Sequence, residues 1–401
     1  MQQVLSNRII TLSESETLAM SKKSRALETQ GINVINLSIG QPDFFTPDYI
    51  KEAGKKAIDD NFSTYSPVSG YADLRETICR KLKRDNDIVF KPSQIVVSTG
   101  AKQSLSNVIL ALVNPGDEVI VPSPYWVSYT EMIKLAEGKA KVIATTIESR
   151  FKITPEQLEA AITPKTKIFL FSSPSNPTGT IYTKEELRGL ADVFARNKHV
   201  YILSDEIYEL INFNGKHESI SQFEDVRDNV IIVNGVSKGF AMTGWRVGYI
   251  AAPQFIADAC EKLQGQVTSG TCSIAQRASL TAIDADPAVS EDLKRMNAAF
   301  LKRRNLVYQL LQEVPGFKSY LPDGAFYFFP DVSELFGKSN GKVTITGASM
   351  LCDYIIDTVY VALVAGDGFG SPGCIRISYA TSEEKLIEAI KRIKTLLADF
   401  K

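Results

Sequence analysis

Lys238 and Arg246 share one glycine-containing loop, SKGFAMTGWR, and their side chains suit chemistry on an anionic carbonyl compound. An ammonium beside a guanidinium in a partly dry cleft has its pKa lowered, leaving free amine to attack an aldehyde carbon. The planar fork of Arg246 matches phosphate oxygens two at a time. Asp205 ends an almost wholly apolar run three residues before Tyr208, where burial makes a carboxylate costly unless a cationic nitrogen lies opposite. Gly100-Ala101 opens a helical pattern, and its free amide N–H groups and positive dipole end form a phosphate cradle. Taken singly, these residues also read as a solvated lysine, a surface ion pair, a structural carboxylate and an ordinary turn.

What must position them is an open α/β sheet. From about residue 95 to 250, short β-branched runs alternate with helical patterns, which predicts a mostly parallel sheet with crossover helices. The expected strands are 95–98, 118–121, 141–147, 166–173, 200–204, 229–235 and 247–252. Thr154 and Thr183 are the expected N-caps of helices between them. Ligands of such sheets sit beyond the carboxyl ends of the strands. Four strands end in polar residues there: Gly100-Ala101-Lys102, Asn176-Pro177-Thr178-Gly179, Asp205-Glu206-Ile207-Tyr208 and Val236-Ser237-Lys238. After about residue 285 the pattern changes to charged helices, the aromatic strand GAFYFFP and a closing helix. The expected division is therefore a large cofactor-binding domain over 46–285 and a smaller α+β domain made of 1–45 and 286–401.

Composition narrows the chemistry further. With 45 Lys plus Arg against 46 Asp plus Glu, the net charge is −1, which gives no electrostatic footprint for nucleic acid. No apolar run approaches the ~20 residues needed to cross a bilayer, and the N-terminus lacks the pattern of a secretory signal, so a cytoplasmic protein is expected. Only His199 and His217 are present, and the five cysteines are scattered without a C-x-x-C pair, so neither a serine–histidine triad nor a metal site is expected. Gly366-Asp367-Gly368-Phe369-Gly370 resembles a dinucleotide loop, but a strand pattern follows it where a helix is required. Gly239-x4-Gly244 lacks the Lys-Ser/Thr of a P-loop, so both are read as turns.

An amine nucleophile, a carboxylate for a ring nitrogen, and an arginine plus helix N-terminus for a phosphate are the parts that pyridoxal 5′-phosphate requires. The motifs Asn176-Pro177-Thr178-Gly179, Asp205-Glu206-Ile207-Tyr208 and Ser237-Lys238-x7-Arg246 resemble those of class I aminotransferases of the fold-type I pyridoxal-phosphate superfamily, over nearly the whole chain. The resemblance implies a seven-stranded, mostly parallel sheet in the large domain. It implies that Lys238 holds the cofactor as an aldimine and then moves the substrate proton. Asp205 would face the pyridinium nitrogen, Asn176 and Tyr208 the phenolic oxygen, and Trp126 would stack on the ring. Arg246, Ser237 and the backbone of Gly100-Ala101 would take the phosphate, joined by Tyr65 from a neighbouring subunit, which implies a homodimer with shared sites.

The resemblance also distributes the substrate contacts. Arg376 would clamp the α-carboxylate, with the Gly40 backbone closing over the same group. STGAKQ, SPYWVSY, AMTGWRVGY and RISYATSEE are similar to the aspartate aminotransferase subgroup in which a lysine at the position of Lys102 takes the distal carboxylate. Ser15 and Thr17 of the N-terminal arm would close over it. The distal arginine of the other aspartate branch is absent from QGQVTSGTCS, where it would be sought. Ping-pong transamination between aspartate or glutamate and a 2-oxo acid follows as the expected activity. The alternatives are a preference for aromatic amino acids or prephenate, and a pyridoxal-phosphate C–S lyase.

Overall fold

Runs that are apolar at consecutive positions have two faces to bury, and they bury both. In the computed structural model, which describes residues 4–401, six of them form one sheet together with a seventh, mostly exposed edge strand, Lys139–Ala144. They are β1 (Ile95–Ser98), β2 (Glu118–Ser123), β3 (Lys139–Ala144), β4 (Thr166–Ser172), β5 (Tyr201–Asp205), β6 (Val230–Gly235) and β7 (Gly248–Ala251). The order across the sheet is β1-β7-β6-β5-β4-β2-β3. β7 is antiparallel to both neighbours, and every other pairing is parallel. The expected strand at 141–147 begins and ends earlier, because β3 is held in register with β2 from Glu118 opposite Lys139 to Ser123 opposite Ala144.

Successive strand residues enter different cores. Val97, Phe169, Ile202 and Ile232 pack on one face against the helices Asp48–Asp59, Ala72–Asn86, Lys184–Arg196 and Ser273–Asp284. Val96, Ile168, Leu203 and Ile231 pack on the other against Ala101–Leu112, Ser128–Leu135 and Gln254–Val267. The two threonine caps form as expected. Thr154 Oγ1 accepts from the Gln157 amide and Thr183 Oγ1 from the Glu186 amide, while each partner's side chain returns to the cap's own N–H.

A second, antiparallel sheet has the order β9-β10-β8, from β8 (Tyr327–Phe328), β9 (Val364–Ala365) and β10 (Ile375–Ser378). The N-terminal segment joins this part of the chain, since Ile35–Asn36 pairs in parallel with Val361–Ala362. The helix Glu291–Leu311 serves both cores. Leu293 and Met296 enter the large one, whereas Phe300, Val307 and Leu311 enter the small one. Both glycine motifs are turns: Asp367–Phe369 is a single 3-10 turn before β10, and Gly239–Gly244 spans turns before the short 3-10 segment ends at Trp245. Among the described residues, no helix is long and apolar enough to cross a membrane.

Candidate active site

The carboxyl ends of β1, β4, β5 and β6 point to one edge of the sheet, and the reversed direction of β7 brings its beginning there too. That reversal places Arg246 beside Gly100. Gly100 has φ +82°, and a Cβ on it would lie 2.8 Å from the Arg246 guanidinium carbon, so only glycine leaves the fork room at this turn. Gly248 does the same for the backbone, since a Cβ there would come within 2.5 Å of the Gly100 carbonyl carbon. The helix Ala101–Leu112 starts here without a side-chain cap, and among the described residues the amides of Ala101 and Lys102 have no protein acceptor.

A cavity of about 280 Å³ opens at this edge, lined by Gly40, Ala101, Lys102, Trp126, Asn176, Asp205, Tyr208, Ser237, Lys238, Arg246 and Arg376 among others. Its charged residues are four cations (Lys102, Lys238, Arg246 and Arg376) and one carboxylate, Asp205. Lys238 is half-buried, and its Nζ donates to the Gly40 carbonyl at 2.6 Å. Burial, then the charges of Arg376 and Arg246, pull its pKa down to about 8, against a smaller opposing effect of Asp205. The amine needed for nucleophilic attack is thus accessible near neutrality.

Asp205 continues the Leu203 face of β5, because strand side chains alternate. It is buried, and burial pushes its pKa up to about 6, although the Tyr129 hydroxyl donates to Oδ2 at 2.7 Å and the Ile207 amide to Oδ1 at 3.3 Å. Arg376 is buried too, and burial lowers its pKa. Its Nη1 donates to Asn176 Oδ1 at 3.0 Å and its Nη2 to the Ser38 carbonyl at 2.6 Å, while Nε has no partner. Among the described residues no carboxylate pairs with it, which leaves a buried guanidinium facing the cavity without a counter-charge. Lys102 Nζ stands 4.8 Å from the Trp126 ring centroid, and desolvation followed by the Arg246 charge lowers its pKa. Ser15, Thr17 and Leu18 of the N-terminal arm complete this side of the cavity.

The profile of the family described as aminotransferase class I and II matches residues 32–393. The chain belongs to that family. The aspartate aminotransferase of Bacillus subtilis is 44% identical over 392 residues, covering 97% of this chain and 98% of the relative. The aspartate/prephenate aminotransferase of Cereibacter sphaeroides is 44% identical over 397 residues, with 98% of each covered. Among solved structures, the aspartate aminotransferase from Rhizobium meliloti superposes with a TM-score of 0.95 at 38% identity over 99% of each chain. That of Thermus thermophilus with maleate gives 0.93 at 37%, over 99% of this chain and all of the other.

Two expected site residues of this aminotransferase are not among those that line the cavity: Gly100, which lies against Arg246, and Tyr65. Tyr65 is 95% exposed. Its neighbours tie it to the Arg246 region: Ser66 Oγ donates to the Thr271 carbonyl at 3.2 Å, and Thr271 Oγ1 donates to the Arg246 carbonyl at 3.5 Å. Among the cavity residues that the sequence reading did not single out, two are tyrosines in polar contact with expected site residues. Tyr129 grips Asp205, and Tyr327 joins Tyr208 through their hydroxyls at 2.8 Å while lying under Arg376, whose guanidinium carbon is 4.7 Å from the ring centroid. Both are aromatic residues with fully buried rings, and the order of residues in the chain gives no sign of these polar contacts. Behind Asp205, Glu206 pairs with His217 at 3.0 Å and Glu209 with Lys81, so this buried polar group is already neutralised in pairs.

Proposed function

We propose that this aminotransferase uses pyridoxal 5′-phosphate to exchange the amino group of L-aspartate, or glutamate, with 2-oxoglutarate or oxaloacetate in two half reactions. One observation carries the reading: Lys238 and the buried Asp205 face a single cavity that holds three further cations and no other carboxylate. The residues fit the cofactor. Among the described residues Asp205 forms no ion pair, and the Lys238 charge only partly offsets its burial, so the carboxylate is left in the raised-pKa state that an opposing protonated ring nitrogen would relieve. Arg246, Ser237 and the unpaired amides at the start of the Ala101 helix would hold a phosphate. Asn176 and Tyr208 would take the ring oxygen and Trp126 the ring face. Pyridoxal phosphate, when bound, supplies an aldehyde carbon for the amine and a protonated ring that takes up electrons from Cα.

The protein's own part is positioning and proton transfer. Arg376 would bind the α-carboxylate with the Nε–H that now lacks a partner and fix which Cα bond faces the ring. Lys238, its pKa drawn down to about 8 by burial and by Arg376 and Arg246 so that free amine is accessible near neutrality, would take the Cα proton and return it one position further on. Asp205 keeps the ring nitrogen charged throughout. The remaining cations support the substrate class, since Arg246, Arg376 and Lys102 would stand against a phosphate, an α-carboxylate and a distal carboxylate respectively. Lys102 would serve the distal carboxylate, and the same contact would serve prephenate, which relatives of this chain act on by name.

Lys102→Ala is therefore expected to cut kcat/KM for aspartate by roughly 10- to 100-fold, the value of a charged hydrogen bond, while alanine changes by no more than about 3-fold. Stopped-flow half reactions with each donor check this; an equal loss for both removes the distal-carboxylate role. We also assign Tyr65 to the phosphate of a second copy in a homodimer, since its side chain is exposed while the adjoining Ser66 is linked through Thr271 to the Arg246 backbone. Tyr65→Phe should weaken cofactor retention by roughly tenfold, measured by equilibrium dialysis, with sedimentation confirming that the dimer persists. Unchanged retention would detach Tyr65 from the site.

A further inference from the structure

Tyr327 sits on β8 opposite Ser378 of β10, two residues from Arg376, yet its hydroxyl bonds outside that sheet. The flanking residues Phe326, Phe328 and Phe329 fill the core with plain rings, so the hydroxyl is what sets Tyr327 apart. A buried phenol needs a hydrogen-bond partner, and the only one among the described residues is the Tyr208 hydroxyl, at 2.8 Å. Both side chains are at least 97% buried. Gly40 preserves the contact, because a Cβ there would run into the Tyr327 hydroxyl and lie 3.4 Å from its Cζ.

Two hydroxyls in contact use only one of their two protons for each other. If Tyr208 donates to Tyr327, its proton is spent; if it accepts from Tyr327, its proton is free for another acceptor, and the O–H is polarised into a stronger donor. The Arg376 guanidinium over the Tyr327 ring favours Tyr327 as the donor, because a nearby cation makes a phenol give up its proton more readily. We propose that Tyr327 is a positioning residue that donates to the Tyr208 oxygen and thereby aims Tyr208 as a donor at the cofactor's ring oxygen. Arg376, Asp205 and Lys238 are the charged groups facing this pair. The proposal rests on the pyridoxal-phosphate reading above.

A donor at the ring oxygen stabilises its negative charge and weakens that oxygen's hold on the proton of the lysine nitrogen, so losing the donor raises the pH at which the proton leaves. The test is a titration of the visible absorbance of the pyridoxal-phosphate-loaded protein, for wild type, Tyr208→Phe, Tyr327→Phe and the double variant. Tyr208→Phe should raise the midpoint, and Tyr327→Phe should raise it less, by roughly 0.5 to 1 pH unit. The double variant should match Tyr208→Phe alone. Gly40→Ala, which crowds the hydroxyl while keeping Tyr327, should shift the midpoint the same way and answers the question if Tyr327→Phe does not fold. A midpoint unchanged in both Tyr327→Phe and Gly40→Ala, or a Tyr327→Phe shift that persists undiminished without the Tyr208 hydroxyl, overturns the proposal. Absence of any lysine-linked chromophore in wild type overturns the cofactor reading instead.

Discussion

Lys238→Ala protein should lose turnover of aspartate with 2-oxoglutarate by at least roughly 10⁴-fold, because one substitution removes both the attacking amine and the base. The fold should survive. Lys238 is half-buried and, among the described residues, takes part in no ion pair and makes a single side-chain hydrogen bond, to the Gly40 carbonyl. Removing a cation from a cavity that holds four of them relieves repulsion, so the thermal midpoint of the cofactor-free protein should hold or rise. Small primary amines in solution should restore part of the proton transfer, which they could not do for a misfolded protein. Steady-state rates with and without ethylamine, beside a thermal melt, separate these cases. Undiminished turnover without added amine would end the assignment of Lys238.

The second large effect falls on Asp205 and has opposite signs for activity and stability. Without its charge the ring nitrogen is no longer held protonated, and Asp205→Asn should slow the amino-acid half reaction by roughly 10²- to 10³-fold or more. In the cofactor-free protein the same residue is a burden. Its pKa is raised from 3.8 to about 6 by burial. Between those two values the folded state keeps a proton that the unfolded chain has lost, so stability falls as pH rises through that window, and the full cost is present above about pH 6. The shift corresponds to a cost on the order of 2–3 kcal/mol. Asp205→Asn removes it while keeping the shape that meets Tyr129 and the Ile207 amide. Urea unfolding of the cofactor-free proteins should show the variant more stable at pH 8 and the difference nearly gone at pH 4. A difference equal at both pH values would show that the carboxylate's charge is not its source.

How far the site could be read in advance depended on where each residue stands relative to a strand. Asn176, Asp205 and Lys238 stand shortly after runs of consecutive apolar residues, so the rule that ligands gather at strand ends found them without coordinates. Arg246 was legible for a related reason: it precedes a strand, and the reversal of β7 brings that end to the same edge. Strand order was not legible, because parallel neighbours are set by crossover packing between segments distant in the chain rather than by local pattern. The overlong expectation at 141–147 failed where β-branched residues continue past the end of the partner strand. Tyr129 and Tyr327 were missed because their roles lie in contacts with residues 76 and 119 positions away, and each reads locally as core. Gly100 and Gly248 look like ordinary turn residues until the approach of Arg246 and of the helix start is seen. Tyr65 came from family resemblance alone, since no spacing argument selects an exposed tyrosine; Lys102 stands at a strand end, but its distal-carboxylate role came from the resemblance.

The central claim is that one amine, Lys238, carries the cofactor. Its most direct test is reduction of the pyridoxal-phosphate-treated protein with borohydride, which fixes a lysine–aldehyde linkage, followed by peptide mapping by mass spectrometry. The account predicts one stoichiometric pyridoxyl label per chain, on the peptide containing Ser237-Lys238. A label on another lysine, or none at a stoichiometric level, would contradict it.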